Sequence, residues 1–432
     1  MNMRIGIIGG SDGLGKTLNY YFKDEFEVSI SGRDHDKGRK VADEIGVNYV
    51  ESNRELAGTS DILIISVPIN HTPSVIKDVA PFMRKGSLMV DVTSIKEEPL
   101  DVMEKYLPHN VEYIPTHPIF GPRTVELDNQ VIVLTPTKKG KWYDKVYDYL
   151  DSKNMRIIET TAQHHDYMMS IVQVLTHFSF ISTACAMDKL NVDIGETENY
   201  ESPIYNLMID MIARIVSQNP YLTYYIQSMN KNGSRIRNAF SDAVNELKDA
   251  IDSENGDWFV ELAISATKNM GDIQGALGRS DKAIQGLNQE FILLTNSVGG
   301  EIGLKHIYSG KIHVGVLEKI DGKFAVLDNG TQLRISNIEV LSDEELYQWK
   351  LRNIVQKKRN VSCVFRDGVV PNVIVETLEH VDDVTKVVLT DIYCGSQIED
   401  GFKSLTFELT VLSNDGFENV KNILTGFGGV LR

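Results

Sequence analysis

Cysteine is scarce in this chain. Its 432 residues hold three, Cys185, Cys363 and Cys394, widely separated and with no CxxC pair. That excludes a disulfide framework and a cysteine-based zinc site, and it fits the reducing cytoplasm. Positive charge is also in deficit: 44 Lys and Arg face 60 Asp and Glu, a net charge of −16. A surface of that sign excludes a molecule built as a whole to bind nucleic acid, and it disfavours docking on an anionic membrane. Long apolar runs are missing. The longest, Ile171 to Met187, is broken by Gln173, Thr176, His177, Ser179 and Ser182. It is too polar to span a bilayer and reads as a buried helix. Met1-Asn2-Met3-Arg4 leads straight into a strand, without the pattern of a signal peptide. What is present is ordinary for a soluble globular protein, 42% hydrophobic and 24% charged, at a length for roughly two to four domains.

Arg4-Ile5-Gly6-Ile7-Ile8-Gly9-Gly10 is a short apolar strand ending in glycines, and Leu14, Leu18 and Phe22 then recur at helical spacing. A strand, a glycine turn and a helix make a phosphate site, because free backbone N–H groups and the helix dipole face the anion. The loop Gly9, Gly10, Ser11, Asp12, Gly13, Leu14, Gly15 departs from a strict G-x-G-x-x-G. Anchored at Gly15, the pattern puts Gly10 first and Asp12 where bare backbone is needed; one extra residue would give that place to Gly13. The next strand ends in Ser31-Gly32-Arg33. An acidic residue there would hold the ribose of NAD, whereas an arginine beside a small hydroxyl suits the 2′-phosphate of NADP. NAD and NADP both remain open, with NADP preferred. Two further apolar strands end in Val67-Pro68 and in Thr93-Ser94-Ile95-Lys96, and ligands of open α/β sheets bind at such carboxyl ends.

Glu112-Tyr113-Ile114-Pro115-Thr116 delivers His117-Pro118-Ile119-Phe120-Gly121-Pro122 to the same edge. A histidine titrates near pH ~6.5, so a neutral imidazole held there can accept a proton. Alone, His-Pro is most simply a structural turn; Ser94 and the nucleotide loop beside it point to catalysis. Residues 163–190 read as one long helix carrying His177. Ser202-Pro203-Ile204-Tyr205 starts another, with Arg214 among Ile209, Ile212 and Ile215. An arginine on an apolar helix is either paired or placed to grip a carboxylate. Further apolar helices follow at 238–247, 258–267 and 280–294, and point to a homodimer.

Together these motifs resemble prephenate dehydrogenase over about residues 3 to 275. Its most specific parts are the His117–Pro122 loop, Thr93-Ser94-Ile95-Lys96, Val172-Gln173-Val174-Leu175-Thr176-His177-Phe178, and Ser202-Pro203-Ile204-Tyr205 with Arg214 downstream. The resemblance implies NAD(P)-dependent oxidative decarboxylation of prephenate to 4-hydroxyphenylpyruvate and CO2, in tyrosine biosynthesis. It implies a Rossmann domain followed by an all-helical dimerisation domain, and no metal. It assigns the ring-hydroxyl proton to His117 and the holding of that hydroxyl to Ser94. It places His177, Ser202 and Tyr205 around the substrate and a substrate carboxylate on Arg214. Gly9 to Gly15, Ser31, Arg33, Val67, Pro68 and Thr93 would hold the cofactor. Arg123 stands where relatives often have an acidic residue. Arogenate dehydrogenase, or another two-domain NADP-dependent dehydrogenase, is the alternative. A different class of alternative is an RNA- or ligand-binding sensor with a vestigial dehydrogenase site.

The chain then changes character. Short alternating stretches at 312–317, 323–327 and 332–335, turned by Asp321-Gly322 and Asp328-Asn329-Gly330, form a small β module. After a helical linker and the basic run Lys357-Lys358-Arg359, residues 360–432 read strand, helix, strand, strand, helix, strand, the order of a ferredoxin-like α+β domain. Asp391 to Ile398 with Lys403 to Phe407 resembles the ferredoxin-fold anticodon-binding domain of phenylalanyl-tRNA synthetases. Residues 346–432 carry ten Lys and Arg against eleven Asp and Glu, too few cations for a phosphate-binding surface, so nucleic acid is disfavoured. A regulatory role with an aromatic amino-acid effector is expected instead, with a purely structural or oligomerising module as the alternative. The expected domains are 1–160 Rossmann, 161–300 all-α, 301–345 small β and 346–432 ferredoxin-like.

Overall fold

The computed structural model describes residues 3–124 and 126–432. The chain divides into two compact units, Met1–Ala276 and Leu277–Arg432. The first is built on β1 (Arg4–Ile8), β2 (Glu27–Ser31), β3 (Asn48–Tyr49), β4 (Ile62–Ile65), β5 (Leu88–Asp91), β6 (Glu112–Pro118), β7 (Val131–Leu134) and β8 (Arg156–Glu159). They lie in the order β3-β2-β1-β4-β5-β6-β7-β8. Neighbours are parallel except β6 and β7. Successive strand residues face opposite sides. Ile7, Ile30, Ile64 and Val90 belong to one core, and Ile8, Leu63, Ile65 and Met89 to another. Burial on both faces is why these strands read as unbroken apolar runs. The helices between them are α1 (Gly13–Phe22), α2 (His35–Ile45), α3 (Asn53–Thr59), α4 (Thr72–Val79), α5 (Glu97–Tyr106) and α6 (Lys141–Ser152). The order reverses at β1, whose neighbours β2 and β4 leave a crevice at their carboxyl ends, where such sheets take ligands.

The helical region follows as α7 (Ala162–Met169), a π-helical turn over Ser170–Leu175, and α8 (Thr176–Lys189). Next come α9 (Ile194–Thr197), α10 (Pro203–Val216), α11 (Pro220–Met229), α12 (Gly233–Asp252), α13 (Gly256–Thr267) and α14 (Ile273–Asn296). The expectation of a buried helix is corrected here. No residue of α8 is buried within the chain, and Met211, Val216, Leu247, Val260 and Ile264 are exposed on its companions. By length and composition alone Ala162–Lys189 would cross a membrane. It also holds His165 and Asp166, both buried and hydrogen-bonded.

The second unit opens with β9 (Glu301–His306), β10 (Ile312–Asp321), β11 (Phe324–Leu327), β12 (Gln332–Arg334) and β13 (Ile338–Val340), ordered β12-β11-β10-β9-β13. The sequence pattern showed β10, β11 and β12; β9 and then β13 extend the sheet antiparallel on the β10 side. Next is α15 (Asp343–Asn353), started by a capping box between Ser342 and Glu345. Then come β14 (Lys357–Arg366), α16 (Pro371–Leu378), β15 (Val384–Tyr393), β16 (Phe402–Val411), α17 (Asn414–Gly426) and β17 (Val430–Leu431). Their order, β15-β16-β14-β17, is the ferredoxin-like arrangement expected from the element sequence. The basic run at 357–359 lies inside β14 rather than before it. Lys350 of α15 joins the two sheets, its Nζ 2.5 Å from Glu301 and 2.8 Å from Asp383.

The ferredoxin-like core is one apolar layer, with Phe365, Leu405, Phe407 and Leu409 under Val420 and Leu424. Phe407 on the central strand is fully buried. Phe407→Ala is expected to cost about 3–5 kcal/mol, read as a lower urea midpoint for this unit. An unchanged midpoint would contradict the packing.

Candidate active site

The chain leaves β1 through Gly9 and enters α1 at Gly13. Gly9 has φ +85° and Gly13 φ +49°, the left-handed region that favours glycine. A Cβ on Gly9 would strike the Ser66 carbonyl, and one on Gly15 would strike the Gly9 carbonyl. Gly9 therefore makes the tight turn and Gly15 the close approach of helix to strand. Gly10, read from the sequence as the first of the series, instead packs against Ile30. Gly13 has open space around it, so bare backbone is presented at the helix N-terminus. Such a cradle fits a dinucleotide pyrophosphate. Asp12 caps α1, accepting from the Gly13 N–H at 2.9 Å, and its other oxygen pairs with Lys37 Nζ at 2.5 Å. Lys37 holds the Asp12 carboxyl below the usual range and offsets its charge beside the cradle.

The other residues expected at this edge divide. Ser11 lies against the Gly32 turn, Val67 beside Gly9, and Leu14 packs on the sheet's core. The Pro68 carbonyl accepts from His71 N–H at 2.8 Å. Ser31 is fully buried and donates to Asn53 Oδ1 at 2.7 Å, so its hydroxyl is turned into the fold. Arg33 is exposed and, among the described residues, has no ion-pair partner.

His117 sits at the end of β6 and is buried. Its Nδ1 lies 2.9 Å from His165 Nε2, and His165 Nδ1 lies 2.7 Å from Asp166 Oδ1. Asp166 also accepts the backbone N–H groups of Lys96 at 2.7 Å and Glu97 at 3.0 Å, so it caps α5 from α7. These partners set the tautomers. The Asp166 carboxylate only accepts, so His165 donates from Nδ1 and accepts at Nε2, and His117 donates from Nδ1. The lone pair on His117 Nε2 is left for another partner. Its only protein contact among the described residues is Gln173 Nε2 at 3.4 Å, a long bond that a ligand hydroxyl could replace. Burial first, then His165 and Lys96, hold the His117 imidazolium well below its usual range. His117 is thus a neutral base at neutral pH.

Lys96 is fully buried. Its Nζ pairs with Asp91 and donates to the Thr116 carbonyl at 2.6 Å, clamping β6 one residue before His117. Thr93 donates to Asp91 Oδ2 at 2.5 Å from its hydroxyl and 3.1 Å from its backbone. Burial pulls the Lys96 ammonium down against the opposing pull of Asp91.

Other expected residues stand differently. Ser94 is half-buried in the same loop, with no hydrogen bond to His117 among the described residues. His177 lies one turn beyond Gln173. Its Nδ1 is buried without a partner among the described residues, as is Gln173 Oε1, and burial lowers the His177 pKa. Arg214 is exposed on α10 and makes no ion pair among the described residues. Ser202 caps α10 by accepting from Tyr205 N–H at 3.2 Å, and the Tyr205 hydroxyl donates to Thr197 at 2.8 Å. Ser202 thus starts the helix as the sequence predicts, and the Tyr205 hydroxyl has a local partner. Sequence reasoning missed His165, Asp166 and Gln173 as site residues. The signal was a His-Asp pair opening an otherwise apolar helix.

A histidine NMR titration checks this arrangement. His117 is expected to remain neutral below pH about 6.5, while the unfolded chain takes up the proton that the folded chain refuses. This group therefore withdraws stability as pH falls. An ordinary titration of His117 near 6.5 would contradict the buried network.

Comparison with known proteins agrees with this geometry. A model of the prephenate dehydrogenase nucleotide-binding domain matches residues 19–159, and one of the prephenate dehydrogenase dimerization domain matches residues 161–263. The chain is 39% identical over 440 residues to a probable arogenate/prephenate dehydrogenase of Methanocaldococcus jannaschii, covering 99% of this chain and 98% of that one. It is 29% identical over 220 residues to the T-protein of Haemophilus influenzae, covering 51% and 54%. The crystal structure of prephenate dehydrogenase from Aquifex aeolicus shares the fold, with a TM-score of 0.51 at 17% identity over 62% of this chain and 99% of that one. On the family matches and the full-length likeness, this chain belongs to the prephenate dehydrogenase family of nicotinamide-dependent oxidoreductases.

Proposed function

We propose that this chain oxidatively decarboxylates prephenate to 4-hydroxyphenylpyruvate, with His117 Nε2 as the proton acceptor. The observation that carries the reading is the His117–His165–Asp166 chain, which leaves one imidazole lone pair aimed away from its own support. A bound nicotinamide supplies the hydride acceptor. As the ring carbon loses hydride its hydroxyl becomes strongly acidic, and His117 takes that proton. The C–C bond to the ring carboxylate then breaks, CO2 departs, and its bonding pair completes the aromatic ring. Buried and uncharged before reaction, His117 needs no deprotonation step to begin.

Ser94 is placed in this reading to hold the same hydroxyl, and Arg214 to receive a substrate carboxylate. Support for a ligand beside them comes from Gln173 Oε1 and His177 Nδ1, two buried polar atoms without a protein partner. Gly9, Gly13 and Gly15 would seat the pyrophosphate at the start of α1. NADP is favoured over NAD by Arg33, which is exposed just after β2 and has no ion-pair partner among the described residues; the inward-turned Ser31 adds nothing to that preference. The exposed apolar residues of α10, α12 and α13 and the half-buried ones of α8 fit burial in a homodimer. We read the last unit as regulatory, answering to an aromatic amino acid, and not as an RNA binder. Apart from Tyr393 and Phe402, the open side of its sheet carries hydroxyls, aliphatic side chains and charges rather than rings for base stacking.

Absorbance at the reduced-nicotinamide band, with prephenate or arogenate and NADP or NAD, tests the whole reading. Rapid reduction with prephenate is expected, and no reduction with either substrate would refute it. His117→Asn should lower kcat by roughly 10²–10⁴ with prephenate affinity nearly intact; unchanged kcat would refute the base assignment. Arg214→Gln should raise KM roughly ten- to hundredfold, the loss of one charge-assisted contact. Unaltered kinetic constants would make it a structural residue.

A further inference from the structure

The dinucleotide cradle carries a charge pair that the reaction itself does not use. Asp12 caps α1 beside the pyrophosphate seat, and its other oxygen holds Lys37 Nζ at 2.5 Å. The two residues are 25 positions apart, Asp12 in the loop after β1 and Lys37 in the first turn of α2. Both side chains stand well out in solvent, 46% exposed for Lys37 and 81% for Asp12. A pair so exposed contributes little to folding. It does place an ammonium at the mouth of the crevice, between the cradle and the turn that follows β2.

That turn is where a sheet of this type receives the adenosine ribose, and a carboxylate at the end of the second strand is what holds the 2′-hydroxyl of NAD. Every acid near this turn is engaged. Asp34 caps α2, accepting the Lys37 N–H at 3.0 Å. Asp36 pairs with Arg39 at 3.4 Å, and Arg39 also pairs with Glu51. His35 is taken up by Tyr49, its Nδ1 lying 2.7 Å from that hydroxyl. Lys16 and Glu44 pair at 3.3 Å farther along the two helices. Ser31 donates inward to Asn53.

Donors remain. Arg33 is exposed without an ion-pair partner among the described residues. The Ser11 hydroxyl lies against the turn, 3.2 Å from where a Cβ on Gly32 would stand, and makes no hydrogen bond among the described residues. The Lys37 ammonium has three N–H groups and spends them only on Asp12. Lys40 is also exposed without an ion-pair partner among the described residues, but it is one turn farther along α2 from the end of β2. Asp12 makes Lys37 matter twice. A carboxylate in the loop repels a pyrophosphate seated on that loop, and Lys37 offsets the repulsion for any dinucleotide. Contact with a 2′-phosphate would be a second task, made only with NADP. The two tasks separate when Asp12 is neutralised together with Lys37.

We infer that Lys37 is a specificity-determining residue: held at the mouth of the crevice by Asp12, its ammonium joins Arg33 and the Ser11 hydroxyl in binding the 2′-phosphate of NADP. Two cations and a hydroxyl give a phosphate charge-assisted contacts, whereas the 2′-hydroxyl of NAD finds no unengaged carboxylate there. The inference deepens the proposed preference for NADP and rests on it, but it shares no residue with the His117 network and is independent of the substrate.

The test is calorimetric titration of the full chain, without substrate or turnover, using NADP, NAD, 2′,5′-ADP and 5′-AMP. The last two lack the nicotinamide half and read the adenosine side alone. Wild type is expected to bind NADP more tightly than NAD, and 2′,5′-ADP more tightly than 5′-AMP. Lys37→Gln should weaken NADP and 2′,5′-ADP roughly ten- to hundredfold, the loss of one charge-assisted contact, and NAD less. Adding Asp12→Asn, which keeps a helix-capping side chain, should return NAD to its wild-type affinity and leave NADP weak. Lys40→Gln should alter neither. All three positions are exposed, so none of the variants threatens folding. A double variant that regained NADP affinity in full would overturn the inference, because Lys37 would then only neutralise Asp12. Equal wild-type affinity for NADP and NAD, or the same loss on Lys40→Gln, would overturn it too. If the titrations follow expectation but prephenate reduces no nicotinamide, the reaction is wrong and this site is right. If prephenate is oxidised while NADP and NAD bind alike, the site is wrong and the reaction stands.

Discussion

One carboxylate carries the organisation of the dehydrogenase unit. Asp166 receives the two backbone N–H groups that open α5, and it receives the proton of His165. Capping a helix N-terminus places the Asp166 carboxylate where the helix dipole favours negative charge. That charge fixes the tautomer of His165, and through it the tautomer of His117. The same side chain therefore docks the helical region on the sheet and decides which nitrogen of the base is free. The Asp166 carbonyl is engaged as well, by Asn230 at 2.7 Å, so its backbone and side chain are both held.

A second buried charge does comparable work from the other side. Lys96 has no access to water, and its partners are Asp91 and the carbonyl of the residue before His117. Burying an ion pair carries a desolvation cost of several kcal/mol per ion. In return, the ends of β5 and β6 are held in register at the carboxyl edge of the sheet. The cation also raises the cost of protonating His117. Neutrality of the base and rigidity of its strand thus share a cause.

The π-helical turn between α7 and α8 belongs to the same constraint. Inserting one wide turn changes the phase of the helix after Asp166. Asp166 thereby faces the start of α5 while Gln173, seven residues on, meets His117. Beside it, Gln173 Oε1 and His177 Nδ1 are buried with no hydrogen-bond partner among the described residues. In the second unit the corresponding fixed point is Lys350, which holds the five-stranded and four-stranded sheets through Glu301 and Asp383.

Much of this was legible before any coordinates, because it rests on local chemistry. Apolar runs closed by glycine announce parallel strands buried on both faces, and the strand-end positions of Val67, Thr93 and His117 follow from them. The βαββαβ order was legible too, since period-two and period-3.6 patterns alternate cleanly after residue 356. What sequence could not decide is how partners meet. The pairing of His165 with His117 spans 48 positions, and no spacing rule brings those rings together. Ser31 reads as a cofactor contact until Asn53 is seen to take its hydroxyl. Tyr205 reads as a substrate contact until its hydroxyl is seen to reach Thr197. The composition of α8 announces a buried helix, yet within the chain its residues are at most half-buried. Sequence alone determined the apolar strands, the long helices and the strand-end place of His117. Only tertiary structure decided which carboxylate would fix the tautomer of which imidazole, because that depends on contacts between residues whose separation along the chain carries no information about distance.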